Sequence, residues 1–367
     1  GEGSPLAHSH PYGLGPMLDG LFFQGNFGIV TSACLRLAPR PPREVAVSMA
    51  LRREADLPAF VDTLAHLKRE QLLTSVTHIG NRARTRDTLT AGLVRYFERE
   101  CGSGPEQARR QAQSALALVA PHEWTAMAAV TGSAAQVRAV LGEVRRRVGR
   151  VARVRVVTDA RLDLGYRVAH ALRFLPWARA NAAAIRAIRP LHGLVRGEPT
   201  DVAVDNLLWH FARTDLPASQ LDASNCGLLY VNPGLPLDGA FVARFVRQMR
   251  DEAAGFGFDL PVTINVETAT SLVAVANVVF DRSVPEQVER AHACACALLQ
   301  LIRREGLEVY RARADMMTDV VDARSTYWQT VRALKAALDP DNVIAPGRYN
   351  LVDDGVAAPS FIANPLE

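Results

Sequence analysis

Three times along this chain a strand-length apolar run is followed by an amphipathic helix and a second strand, and that recurrence limits the folds open to it. The first copy places strands at 44–51 and 76–82 around a helix at 56–73, whose apolar residues at 57, 60, 61, 64 and 67 share one face. The second runs through 124–131, 134–148 and 151–158. The third runs through 227–232, 239–254 and 261–266, with a partner strand at 272–280 and a closing helix at 285–304. None of these units carries a glycine-rich phosphate loop, so the pattern predicts an α+β fold, with ferredoxin-like repeats forming a large, mostly antiparallel sheet covered by helices. Between the copies lie a polar helical region at 89–118 and a stretch at 164–214 holding Trp177, Trp209 and His210. The latter reads as helices and long loops, a usual place for a substrate-facing lid.

At 367 residues with 49% hydrophobic and 22% charged side chains, the chain can bury a sizeable core and is too long for one small domain. The net charge of +4 is concentrated in runs such as Arg145, Arg146, Arg147, Arg150, Arg153 and Arg155, which read as a solvated helix face followed by a strand. The sequence offers no nucleic-acid module. Cysteines 34, 101, 226, 294 and 296 are scattered, with no CxxC pair and no zinc spacing, so no metal is expected and a reducing cytoplasm is the natural compartment. Cys294 and Cys296 point about 200° apart on a helix and read as buried small apolar residues. No apolar run approaches the about 20 residues of a membrane span, and a soluble protein is expected.

The most distinctive stretch lies near the start, where Tyr12-Gly13-Leu14-Gly15-Pro16 runs on through Asp19-Gly20 to Gln24, Asn26 and Gly28-Ile29-Val30-Thr31. Its glycines suit a backbone pressed against a flat ligand or another backbone, and a tight surface turn entering a sheet edge is the simpler alternative. Residues 28–37 alternate apolar with small or polar side chains and predict a half-buried strand, which Pro39, Pro41 and Pro42 stop. Far away, Leu338-Asp339-Pro340-Asp341-Asn342-Val343-Ile344-Ala345-Pro346-Gly347-Arg348-Tyr349 forms a second distinctive string, after a strand predicted at 307–314 and a helix at 325–338.

The two strings, in this order and with a substrate-domain pattern between them, resemble the vanillyl-alcohol oxidase and p-cresol methylhydroxylase type of FAD-linked oxidases over nearly the whole chain. The resemblance implies residues 1–38 as the C-terminal part of the FAD-binding domain, 39–305 as the cap or substrate domain, 306–357 as a returning FAD-domain segment and 358–367 as a tail. It also implies that the half cradling the dinucleotide belongs ahead of residue 1, supplied in cis or by a second polypeptide. Without it, FAD would bind weakly or not at all. The expected activity is hydride transfer to FAD from a small, phenolic or otherwise aromatic alcohol or alkylphenol, in a homo-oligomer.

Within that expectation Tyr310 and Arg311 occupy the place of the family's Tyr-Arg pair, where a guanidinium and a phenol donor would stabilise a phenolate oxygen. Neighbours in a regular strand face opposite ways, so the alternative has Tyr310 in the core and Arg311 on the surface. Trp209 and Arg313 are the candidate substrate contacts. Tyr12, Gly13, Gly15, Asp19, Gln24, Asn26, Gly28, Ile29, Val30 and Arg348 are the candidate cofactor contacts. For Asp19 an Asx turn, and for Arg348 a salt bridge within the C-terminal segment, are the competing structural readings. Some enzymes of the family attach flavin through a histidine on the strand matching 272–280, but the matching positions here are Val273 and Ala274, so a non-covalent cofactor is expected. The rival from another class is a degenerate non-flavin homologue acting as a ligand-binding or oligomerisation module, or as a non-redox enzyme.

Overall fold

The computed structural model describes residues 17–37, 39–195, 197–202, 206 and 223–350. The chain divides into two compact units, Pro41–Tyr310 and a smaller one built from Gly1–Arg40 and Arg311–Glu367.

The larger unit is organised around one sheet. Its strands are β1 (Arg43–Leu51), β2 (Thr77–Asn81), β3 (Trp124–Gly132), β4 (Ala152–Val157), β5 (Cys226–Val231), β6 (Gly234–Leu235), β7 (Val262–Val266) and β8 (Leu272–Asp281). They lie in the order β4-β1-β3-β2-β7-β8-β5, with β6 also on β8, and every pairing is antiparallel. Because β1 and β2 both run antiparallel to β3, they are parallel to each other and need a crossover, which helix α1 (Leu57–Arg69) supplies. Helix α4 (Ala134–Val148) does the same for β3 and β4 around β1, and α7 (Gly239–Gly255) for β5 and β7 around β8. The three repeats visible in the sequence are therefore three split βαβ units in one sheet. The first two form a four-stranded ferredoxin-like half, and β2 joins it to the second half through β7.

Local chemistry explains where these elements begin. Helix α4 starts at Ala134 because Ser133 Oγ accepts from the Gln136 amide at 3.3 Å while Gln136 Oε1 accepts from the Ser133 amide at 2.8 Å, a reciprocal capping box. Asn81 caps α2 (Arg82–Cys101) and is wholly buried. Its Oδ1 takes the amides of Arg84 at 2.9 Å and Val262 at 3.0 Å, and its Nδ2 donates to Leu260 O at 2.8 Å. One side chain thus binds the end of β2, the start of α2 and the start of β7.

Strand alternation sorts the sheet's two faces. Val47, Met49, Ile79, Trp124 and Ile264 are buried on one, whereas the register Arg155–Ser48–Met127–His78–Asn265–Val273 crosses the other. Helices α2, α3 (Pro105–Val119), α5 (Asp159–Ala171) and α6 (Pro176–Val195) have a core of their own, in which Leu93, Tyr96 and Phe97 pack on Ala108, Ala112, Ala180 and Ala183. The single helical region expected at 89–118 is two helices: α2 ends at the left-handed Gly102 and α3 starts at Pro105, a residue suited to a helix's first turn. Helix α8 (Pro285–Arg304) holds Cys294 buried, its thiol pushed up to about 11 by burial. Cys296 is exposed, contrary to the expectation that both are buried, because two residues along a helix is the opposite face. In the arginine run, Arg146 and Arg147 pair with Glu143 at 2.6 and 2.9 Å, and Arg147 reaches Glu70 at 2.7 Å.

Two expected strands are not formed. Residues 29–37 are exposed throughout, with Ile29 and Leu37 each 83% accessible, and no strand among the described residues pairs with them. Alternating side chains favour a strand, but a ladder needs a backbone partner. At 307–314 the pairing is one bridge, Pro233 to Val309, supported by Gly234 N to Glu308 O at 2.9 Å and Tyr310 N to Asn232 O at 2.7 Å.

Candidate functional site

The two strings that stand out in the sequence meet within the smaller unit. The first opens with a 3-10 turn, Asp19–Phe22, and turns again at Gly25, whose φ of 72° is one that other residues rarely adopt. Asn26 and Phe27 then go into the interior, at 1% and 7% exposure. The second string follows helices α9 (Met317–Val320) and α10 (Thr326–Leu338).

Lys335 joins them. It is the one buried residue of α10, and its ammonium donates to Asn26 O at 2.5 Å, Asp339 Oδ2 at 2.5 Å and Ile344 O at 2.7 Å, which uses all three protons. Asp339 accepts in addition the amides of Val343 at 3.0 Å and Ile344 at 2.8 Å. The hydrogen bond from Lys335, followed by that from the Ile344 amide, holds the Asp339 carboxyl below its ordinary range. The Asn26 amide reaches Tyr349 O at 3.5 Å, a second stitch between the strings.

Beyond this node the backbone is strained. Asn342, Ala345 and Tyr349 have φ of 49°, 44° and 46°, in a region unfavourable for residues with a side chain, and Gly347 lies between them at 78°. The loop is fixed by its contacts. The Tyr349 hydroxyl accepts from Ala312 N at 2.7 Å and donates to Ala312 O at 3.2 Å, and its ring stacks near-parallel on Trp328. The Arg348 guanidinium lies 5.4 Å from the Tyr349 ring centroid and pairs with no carboxylate among the described residues.

These features bear on whether the unit could hold a flavin. A half-buried cation with no carboxylate among the described residues suits the electron-rich edge of a flavin ring, and the buried Asn342 Oδ1 and Asn350 Oδ1, which have no partner among them, are acceptors that ring N–H groups could meet. No glycine-rich turn leads into a helix among the unit's described residues, so the pyrophosphate end of FAD finds no cradle in them. The unit therefore fits one edge of the group.

The other candidates are scattered. Gln24 and Gly28 are half-buried, with Gly28 packed against the Phe22 ring, whereas Asp19, Ile29 and Val30 are exposed. Arg313 forks onto Asp315 at 2.9 and 3.0 Å. Tyr310 is 59% exposed and Arg311 is also exposed, so Tyr310 is not the core residue of the alternative reading. With no regular strand there, the objection that neighbours must face opposite ways does not apply. Tyr12, Gly13, Gly15 and Trp209 lie outside the described residues. Val273 and Ala274 are buried in β8, at 5% and 0%. Among the described residues no group of three or more His, Cys, Asp or Glu is placed to hold a metal ion, and no helix is long and apolar enough to cross a membrane. Lys335 and Asp339 were missed as organising residues. Their spacing of four at a helix end was the available signal.

No protein-family model matches the chain. Curated relatives include the 1'-carboxy-chondrochloren decarboxylase of Chondromyces crocatus, 28% identical over 360 residues and covering 95% of this chain and 63% of the relative. Another is the flavoprotein subunit of the hydroxylating 4-cresol dehydrogenase of Pseudomonas putida, 25% identical over 348 residues, with 93% of this chain and 58% of the relative covered. Among solved structures, 4-ethylphenol oxidase from Gulosibacter chungangensis matches with a TM-score of 0.72 at 20% identity, over 95% of this chain and 61% of that one. The chain is thus similar to proteins of the vanillyl-alcohol oxidase and p-cresol methylhydroxylase type. A substrate-bound p-cresol methylhydroxylase shares the fold, with a TM-score of 0.70 at 22% identity over 96% of this chain and 61% of that one. In this family frame, the chain spans about three-fifths of the length of its relatives, 63% and 58% of the two curated ones.

Proposed function

We propose that this chain carries the substrate domain of a flavoprotein oxidoreductase that oxidises a small phenolic alcohol or alkylphenol by removing hydride from the carbon attached to the ring. Bound FAD supplies the acceptor for two electrons. It is held non-covalently, since Val273 and Ala274 offer no attachment point, and its dinucleotide half is bound by a further polypeptide segment, in cis or in trans. Arg311 and Tyr310 would donate hydrogen bonds to the phenol oxygen and stabilise the phenolate left when its proton goes to solvent; hydride loss from that anion would then leave a neutral, carbonyl-like oxygen. Arg348 supplies positive charge toward the ring's pyrimidine edge. The protein acts as a homo-oligomer in a reducing cytoplasm, in keeping with five cysteines that are all free.

The observation that carries this reading is the junction of the two strings through Asn26, Lys335 and Tyr349. Relatives named for 4-cresol and 4-ethylphenol support the substrate class. The test is to supply the upstream flavin-binding half and FAD, then follow bleaching of the flavin absorption under 4-ethylphenol without oxygen. Retained flavin that no phenol reduces would reject the activity.

A second reading rests on the 28% identical relative named as a decarboxylase. There the bond to a carboxylate breaks, carbon dioxide leaves, and the electron pair left on carbon takes a proton. Carbon dioxide release from a phenolic acid without reduction of any acceptor would favour it.

A further inference from the structure

The sheet unit holds a cavity that the flavin reading does not use. Asn277 lies in β8 directly opposite Tyr230 of β5, on the face that also carries His78 and Asn265. It is 7% exposed, and its Oδ1 has no hydrogen-bond partner. Leaving a buried amide oxygen unpaired is unfavourable, so the position invites a donor from outside the chain. Asn277 lines a cavity of about 280 Å³ beyond the start of β7, where β8 continues past its neighbour. That volume is just below the about 300 to 1,000 Å³ of drug-sized sites and suits a ligand smaller than those.

The remaining walls define what such a molecule must look like. Phe258, Pro261 and Val279 are apolar. Arg86 is committed to Asp87 and Asp259, at 3.2 and 2.6 Å. Arg290 pairs with no carboxylate among the described residues, and its guanidinium lies 5.8 Å from the Phe258 ring centroid. Gln287 accepts the Asp281 amide at 3.0 Å through Oε1, which leaves its Nε2 as a donor. Asp87 and Asp259, the wall's two carboxylates, share Arg86, and with Arg290 the wall has no formal net charge. One buried acceptor, an uncommitted guanidinium and flat apolar walls are thus placed around one small space.

We infer that this cavity binds a small planar carboxylate bearing a hydroxyl group, the hydroxyl donating to Asn277 Oδ1 and the carboxylate meeting Arg290. The site lies within the sheet unit and needs no flavin, so it stands or falls separately from the oxidoreductase reading.

Calorimetric titration of the full chain with 4-hydroxybenzoate and with benzoate tests it. The hydroxylated acid should bind about tenfold more tightly, the worth of one hydrogen bond to an otherwise unpaired group. In Asn277→Leu this preference should disappear while benzoate still binds. In Arg290→Met, an exposed substitution that leaves the fold intact, both acids should bind at least tenfold more weakly. Absence of saturable binding would overturn the proposal. So would binding that neither substitution changes, or an Asn277→Leu chain that keeps the full preference.

Discussion

Lys335 Nζ donates to the main-chain oxygen of Asn26, 309 residues earlier in the chain, at 2.5 Å. With Asp339 and Ile344 O as its other acceptors, it fixes one segment of the smaller unit against another that local sequence could never bring to it. Removing the ammonium strands the buried Asp339 carboxylate and frees the Asn26 turn. Lys335→Met should therefore lower the thermal midpoint and raise hydrogen exchange at Phe27, Val343 and Ile344. Unchanged exchange at these amides would mean that the node does not hold the two strings.

Acid should act on the same node. The Asp339 carboxyl lies below its ordinary value because Lys335 and the Ile344 and Val343 amides bind its charged form. A depressed folded-state value means that the stabilisation is fully present above the ordinary aspartate pKa of about 3.9 and is lost as pH falls through the lower, folded-state value. Asp339→Asn should flatten the fall in stability below about pH 4. An identical acid limb in the variant, measured by urea unfolding across pH, would rule this out.

Asn81 makes a prediction for the sheet unit. Asn81→Leu removes the cap of α2 and leaves the buried amide of Val262 and carbonyl of Leu260 without partners. A loss of about 3 kcal/mol is expected from one cap and two orphaned groups. Chemical denaturation would measure it, and a loss below about 1 kcal/mol, the worth of the cap alone, would show that water takes over the bonds.

Much of this fold was legible because side-chain period reports local structure. Helices 134–148 and 285–304 were placed to the residue from the recurring pattern, and the structure shows the Ser133–Gln136 capping box starting the first and Pro285 the second. The sheet order was not legible. That β2 joins the two halves through β7 depends on Asn81 meeting Leu260 and Val262, contacts with no local sign. The segment 28–37 misled for the converse reason, its alternation being genuine and its partner strand missing among the described residues. At the candidate site the strings were visible, but the lysine binding them looked like any charged residue on a helix. Only burial to 2% exposure distinguishes it.

For the reaction, Arg311→Met in the complete, flavin-loaded protein should lower the rate of phenol oxidation about a hundredfold, the usual cost of one donor to an oxyanion. The effect should fall on flavin reduction in a single turnover and leave flavin content unchanged. A variant that reduces its flavin at the parent rate would remove Arg311 from the mechanism.

The most direct test is flavin retention by the purified chain with and without the upstream flavin-binding half. The chain alone should take up little or no added FAD, and the complex should retain FAD through gel filtration and release it on acid precipitation, as a non-covalent cofactor does. A complex that stays colourless with added FAD would contradict the flavoprotein assignment at its root.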